Sequence, residues 1–189
     1  MSATNERPLR ADAQRNRDLL LDAAGKAFTE CGMDATLEGI AKNAGVGIGT
    51  LYRHFPTREA LVEAVYRSEL GAVCAAAPEL LATMTPVEAT RAWMDRFVDF
   101  MTRKIGMADA LRALIASGAD PYAHSFELLT GAIQPLLEAA AAAGEIRPDF
   151  DSGDVLMSLS GVALAASSNR EQAGRLLDLL MDGLRYRSS

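Results

Sequence analysis

The 189-residue chain carries a formal net charge of −6, with 49% hydrophobic and 6% aromatic residues. That apolar content supports a buried core and excludes an extended or disordered chain, while abundant alanine and few β-branched alternations predict an all-α fold of about nine helices. The first residues are polar, without the apolar stretch of a secretory leader, and no apolar run approaches the ~20 residues of a membrane span, so a cytoplasmic protein that does not enter membranes is expected.

Taken in chain order, residues 1–14 read as a flexible basic arm, with Arg7 and Arg10 placed to follow phosphate or to remain solvated. Arg15 and Arg17 extend that basic amino end. A first helix is predicted over 13–30, its face marked by Leu20, Ala24, Ala27, Phe28 and Cys31, with Gly32 ending it. Thr36 then precedes Leu37, Ile40 and Ala41, an i, i+3, i+4 apolar pattern that its hydroxyl can cap. Gly45 is the expected hinge, because glycine accepts the left-handed conformation that turns the chain sharply. A third helix over 48–55 buries Leu51 and Phe55 and leaves Thr50, Tyr52, Arg53 and His54 on other faces, where they can meet a groove. This is a helix-turn-helix layout, and it points to duplex DNA.

Pro56 stops that helix, and a fourth is predicted over 58–75, long enough to leave the DNA-binding unit, with Pro78 breaking it. Thr85, Pro86 and Glu88 form a cap, a first-turn proline and a capping-box partner for a fifth helix whose Trp93, Phe97, Phe100 and Met101 make an apolar stripe. A short helix carries Leu111, Leu114 and Ile115, and another over 122–143 contains Pro135, where a kink is expected. The segment 146–151 reads as a loop and 151–166 as a small-residue helix. Ser168 to Glu171 reads as a second capping box, opening a leucine-rich last helix.

The acidic balance divides unevenly. Residues 1–67 hold nine Lys/Arg against nine Asp/Glu, and residues 68–189 hold ten against sixteen, so the acidic excess lies outside the DNA-facing part. Cys31 and Cys74 stand apart without a C-x-x-C pattern, and His54 and His124 lie far from each other, so no metal site and no cofactor are expected; both thiols read as helix-packing residues rather than a redox pair. A nucleophile elbow, a phosphate-binding glycine loop and paired catalytic carboxylates are all missing, which argues against an enzyme.

The segment G-T-L-Y-R-H-F-P-T-R-E-A-L, within residues 15–66, resembles the most recognisable stretch of the tetracycline-repressor (TetR) family. R-A-L-I-A-S-G, P-L-L-E-A-A and G-E-I-R-P-D, from about residue 104 onward, are similar to a common carboxy-terminal subgroup of these regulators. The resemblance implies a helix-turn-helix DNA-binding domain over 15–66 and an effector-binding and dimerisation domain over 67–189. It carries phosphate contact onto Thr36, Tyr52, His54 and Arg58, and base contact onto Thr50 and Arg53. Gly47, Ile48 and Gly49 depart from the hydroxyl or charged residues frequent at the start of the family's reading helix, so base readout there is expected to be sparse, with Ile48 against a thymine methyl and the glycines allowing close approach.

The resemblance also implies an effector pocket for a small apolar or amphipathic ligand. Trp93, Phe97, Phe100, Met101, Leu111, Tyr122, Phe126, Leu129 and Met157 are its candidate lining, although each taken singly reads as core before ligand contact. Ser160, Gly161 and Leu164 on the small-residue helix, with Leu176, Leu180 and Leu184 on the last, are the candidate homodimer interface. The expected function is a homodimeric repressor released from a palindromic operator by a small molecule. The alternatives are a constitutive or architectural DNA-binding protein without ligand, or an activator.

Overall fold

Caps and apolar periodicity set the helices, and the computed structural model, which describes residues 6–185, orders them as follows. After α1 (Glu6–Cys31) comes one 3₁₀ turn (Gly32–Asp34), then α2 (Leu37–Asn43), α3 (Ile48–His54), α4 (Arg58–Leu81) and α5 (Pro86–Gly106). The chain continues through α6 (Ala108–Ala116), α7 (Ser125–Ala142), α8 (Ser152–Ala165) and α9 (Arg170–Leu184), with no strand among the described residues. The all-α expectation holds. None of the helices is long and apolar enough to cross a membrane among the described residues.

Several ends follow the sequence closely. The Thr36 hydroxyl accepts the Gly39 amide at 3.1 Å. Thr85 donates its hydroxyl to the Glu88 carboxylate at 2.7 Å, and its amide does so at 3.2 Å. Asp151 accepts the Asp154 amide at 3.0 Å. Each bond satisfies a donor that the first turn leaves unpaired or holds a cap in place.

Other ends differ for physical reasons. The backbone of residues 6–14, read as part of an arm, is already helical, so α1 starts seven residues before the predicted 13; residues 1–5 and the side chains of Arg7 and Arg10 lie outside the described residues. Pro78 does not break α4. It sits in the last turns, where one donor is lost, while buried Ala76, Ala77 and Leu80 hold the helix on to Leu81. Helix α7 begins at Ser125 rather than at 122, because His124 takes a left-handed φ of 62° just before it. The cap of α9 is Asn169 rather than Ser168, its side chain accepting the Gln172 amide at 2.9 Å. Cys31 is exposed rather than packed, and Cys74 is half-buried, its Sγ 3.7 Å from the Leu128 carbonyl oxygen.

The chain forms two compact units. Met1–Ser68 with Gly106–Pro121 make the first, and Glu69–Ile105 with Tyr122–Ser189 make the second. The division departs from the expected cut at 66, because α6 joins the amino-terminal helices. In the first unit, Leu20, Ala24, Phe28, Ile40, Leu51, Phe55 and Leu61 are buried together with Ala110, Leu111 and Leu114 of α6. Gly106 explains the close approach: a Cβ there would lie 3.0 Å from Thr29 Cγ2 and 3.2 Å from both the Thr29 Cα and its carbonyl oxygen.

The second unit is built on α5. Trp93 is fully buried, stacks on Phe97 with ring centroids 5.7 Å apart, and donates its indole N–H to the Val73 carbonyl at 2.9 Å. Phe100, Ile133, Leu136, Leu137, Leu159 and Leu177 complete this core from α5, α7, α8 and α9. Gly144, at φ 73°, closes α7 with the Glu145 amide on the Ala140 carbonyl at 3.0 Å, and the Glu145 carboxylate then accepts the Val87 amide at 3.2 Å.

Candidate nucleic-acid interface

The turn between α2 and α3 has the predicted hinge. Gly45 adopts φ 70°, its amide bonds the Lys42 carbonyl at 3.1 Å, and the Val46 amide reaches back to the Ala41 carbonyl at 3.0 Å. This pair of bonds is a Schellman closure, which only a residue tolerant of the left-handed region makes without strain. Leu51 (0% exposed) and Phe55 anchor α3 to the unit, and the Arg17 guanidinium lies 5.6 Å from the Phe55 ring centroid, tying α1 to the same corner. The sequence assigned Arg17 to the basic amino end; its stacking on Phe55 adds a structural role.

With one face of α3 fixed in this way, Gly47, Ile48, Gly49, Tyr52 and Arg53 are exposed, and Thr50 and His54 are partly exposed. The sequence groups these residues and the structure keeps them together on the outside of one short helix. A Cβ built on Gly47 or Gly49 meets nothing within 4 Å, so these glycines are not required by packing inside the chain. Arg53 is pre-positioned: its Nε donates to the Gly49 carbonyl at 3.1 Å and its Nη2 to the Thr50 hydroxyl at 3.1 Å. Thr36 caps α2 through its oxygen, and among the described residues its hydroxyl makes no bond as a donor.

Arg58 is placed differently from its expected role. Its guanidinium donates to the Ala35 carbonyl and, at 3.3 Å, to the Gly32 carbonyl, and it lies 5.1 Å from the Phe28 ring centroid. These bonds draw it inward, onto the turn before α2, and leave it partly exposed. The start of α4 still offers backbone amides, with Thr57 accepting the Ala60 amide at 3.1 Å.

In the second unit the candidate pocket residues separate. Trp93, Phe97, Phe100 and Leu129 are buried core, Met101 is half-buried, and Tyr122 is half-buried beneath the Lys104 ammonium, 4.2 Å from its ring centroid. Burial pushes the Lys104 ammonium down and the Tyr122 phenol up from their ordinary ranges. Phe126 and Met157 are exposed surface residues, and Leu111 belongs to the first unit.

A groove of about 640 Å³ instead runs along α5 and α9, over Met84, Val87, Ala92 and Met181, with Glu88, Arg91, Asp95, Asp178, Asp182 and Arg185 around it. Sequence reasoning missed it, although the 88–91–95 and 178–182–185 charge spacings, each on one helical face, were legible. Of the candidate interface residues, Gly161 and Leu164 are exposed, Ser160, Leu176 and Leu180 are half-buried, and Leu184 is buried inside its own chain. Leu179, missed in the sequence, is 67% exposed beside them in α9, and Met157 and Leu164 of α8 are 62% and 69% exposed.

This combination, a helix-turn-helix in one unit and a larger second unit that is also helical, defines a class of bacterial transcription regulators. The chain belongs to the TetR family: residues 20–65 match the family of bacterial regulatory proteins called tetR, and residues 85–186 match the SbtR-like transcriptional regulator carboxy-terminal domain. It is similar to the TetR transcriptional regulator SCO0520 from Streptomyces coelicolor, at 56% identity and a TM-score of 0.88, over 91% of this chain and 99% of that one. A TetR regulatory protein from Mycobacterium vanbaalenii aligns at 34% identity and a TM-score of 0.79, over 95% of this chain and 100% of that one. The transcriptional regulator UidR of Escherichia coli strain K12 is 26% identical over 159 residues, 76% of each chain. The protein is therefore a DNA-binding transcriptional regulator of that family, whose relatives here are regulators rather than enzymes.

Proposed function

We propose that the chain acts as a homodimeric repressor that holds a palindromic operator and leaves it when a small molecule occupies the second unit. The observation that carries the DNA half of this reading is the geometry of α3. Leu51 and Phe55 fix its inner face while Thr50, Tyr52, Arg53 and His54 remain together on the outside. Thr50 and Arg53 are the base-reading pair in this reading, with Tyr52, His54 and Thr36 on phosphates. Arg58 supports them from behind by holding the turn before α2. Gly47 and Gly49 leave room for the sugar-phosphate backbone to approach, and Ile48, 37% exposed, is the apolar contact to a thymine methyl.

Dimerisation is supported by the apolar side chains that α8 and α9 leave in water. Three large aliphatic residues more than 60% exposed on adjacent helices are costly for an isolated chain, and a two-fold copy of the same surface would cover them. Two reading helices must then meet half-sites one helical turn apart, about 34 to 36 Å. Helix α4 runs continuously from residues of the first unit into the second, so a ligand that prefers the DNA-incompetent arrangement can act through it.

The experiment is selection from a random duplex library, followed by anisotropy titration of the recovered site against random competitor at moderate salt. Preferential retention of an inverted repeat is expected. A protein that retains no such duplex over competitor is not a sequence-specific repressor. Effector release is read on the same complex: a compound that raises the melting temperature and leaves operator affinity unchanged is bound without releasing DNA, which rules out release by that compound.

A further inference from the structure

The groove between α5 and α9 has a composition that names its ligand class. Its floor is apolar, made by Met84, Val87, Ala92 and Met181. Its rim carries four carboxylates, Glu88, Asp95, Asp178 and Asp182, against two guanidinium groups, Arg91 and Arg185, a net charge of −2. The pairing is uneven along its length. Toward one end Asp95 is held by both Arg91 and Arg170, with Arg170 also on Asp99 at 2.9 Å. Around Glu88, Asp178 and Asp182 the bonds are single-sided: Thr85 on one oxygen of Glu88, Arg91 on Asp178 Oδ1 at 2.9 Å, and Arg185 on Asp182 Oδ1 at 2.8 Å. Each of these three carboxylates retains an oxygen for which no bond occurs among the described residues. Thr85 also holds the Glu88 carboxyl below its ordinary range, so it stays ionised.

The volume, about 640 Å³, lies within the ~300–1,000 Å³ of sites that take small organic molecules. Two methionines make its floor adaptable to flat or rounded apolar groups. The groove also uses a different face of α9 from the exposed leucines. Asp178, Met181, Asp182 and Arg185 recur at spacings of three and four, as do Leu176, Leu179 and Leu180; at 100° per residue the two faces are centred roughly 160° apart. A second chain seated on the leucine face would leave the groove open.

We propose that this groove is the effector site and that it accepts a small amphipathic cation, its apolar body on the methionine floor and its positive charge among Glu88, Asp178 and Asp182. The assignment deepens the effector-release reading and rests on it for the consequence of binding. Binding itself is tested independently, with two probes of nearly the same size and shape and opposite charge, tetraphenylphosphonium and tetraphenylborate. Calorimetric titration of the full chain is expected to give saturable binding of the cation at least ten-fold tighter than that of the anion. Replacing the two α9 carboxylates together, Asp178→Asn with Asp182→Asn, is expected to weaken the cation at least ten-fold, and Ala92→Phe, which fills the floor, to abolish it. Circular dichroism melts establish that each variant is folded. Equal affinity for both ions, binding unchanged by the folded variants, or no binding of the cation at millimolar concentration overturns the assignment. Adding the cation to the operator complex separates the two readings: bound cation with operator affinity unchanged removes release by this ligand and leaves the groove's charge preference standing.

Discussion

Arg53 and Arg58 stand five positions apart in the same motif and do different work. The Arg53 guanidinium is exposed and tethered along its own helix by Gly49 and Thr50, so in the proposed reading little side-chain freedom is lost when it meets a base edge. Arg53→Ala is therefore expected to relax preference at one base pair by ~1–3 kcal/mol, read as affinities for a panel of single-substitution operators. A uniform loss across the panel would make it a phosphate contact instead. Arg58→Ala removes charge-assisted bonds to two carbonyls and is expected to destabilise the amino-terminal unit by ~1.5–3 kcal/mol in denaturant titrations. The salt dependence of operator binding distinguishes the roles. A phosphate contact would lower the slope of log affinity against log salt by about one, while a support residue leaves it unchanged. The Thr-Arg-Glu sequence gives no hint of this inward turn, because the acceptors on Gly32 and Ala35 lie more than twenty residues away.

At the scale of elements, local chemistry accounts for starts and turns, and packing accounts for where helices end and what they join. The Thr36 and Thr85 caps and the Gly45 hinge were legible because each acts within four residues of itself. Pro78 misled, since the rule that proline stops a helix yields when the residues on both sides of it have buried side chains to place. Gly106 carries more than punctuation: it lets the end of α5 lie against Thr29 of α1. Gly106→Ala is expected to cost ~1–3 kcal/mol of stability by thermal or chemical unfolding, because the added methyl meets backbone as well as side chain. Thr29→Ala in the same chain should recover only part of that loss, since it relieves the contact at 3.0 Å with Cγ2 but not those at 3.2 Å with Cα and the carbonyl oxygen. An unchanged melting temperature for Gly106→Ala would mean that Gly106 and Thr29 are not in close contact.

For the molecule as a whole, the proposed dimer rests on the apolar surface of α8 and α9. Leu164→Glu with Leu179→Glu places two charges on residues 69% and 67% exposed, so the folded chain should tolerate them while self-association weakens by ~100-fold or more. Sedimentation velocity across micromolar concentrations checks this; an unaltered dimer would place the interface elsewhere. The sequence alone determined the all-α class, the helix-turn-helix and its outward-facing residues, because amphipathic period, caps and the glycine hinge are local and outward-facing side chains are those left over from the core face. Only the tertiary structure decided that α6 packs with the amino-terminal helices, that Trp93, Phe97 and Phe100 are core, that Arg58 turns inward, and that α5 and α9 enclose a charged groove. Those outcomes depend on which apolar faces meet across tens of residues, and a helical periodicity fixes the face of a helix without naming the neighbour that buries it.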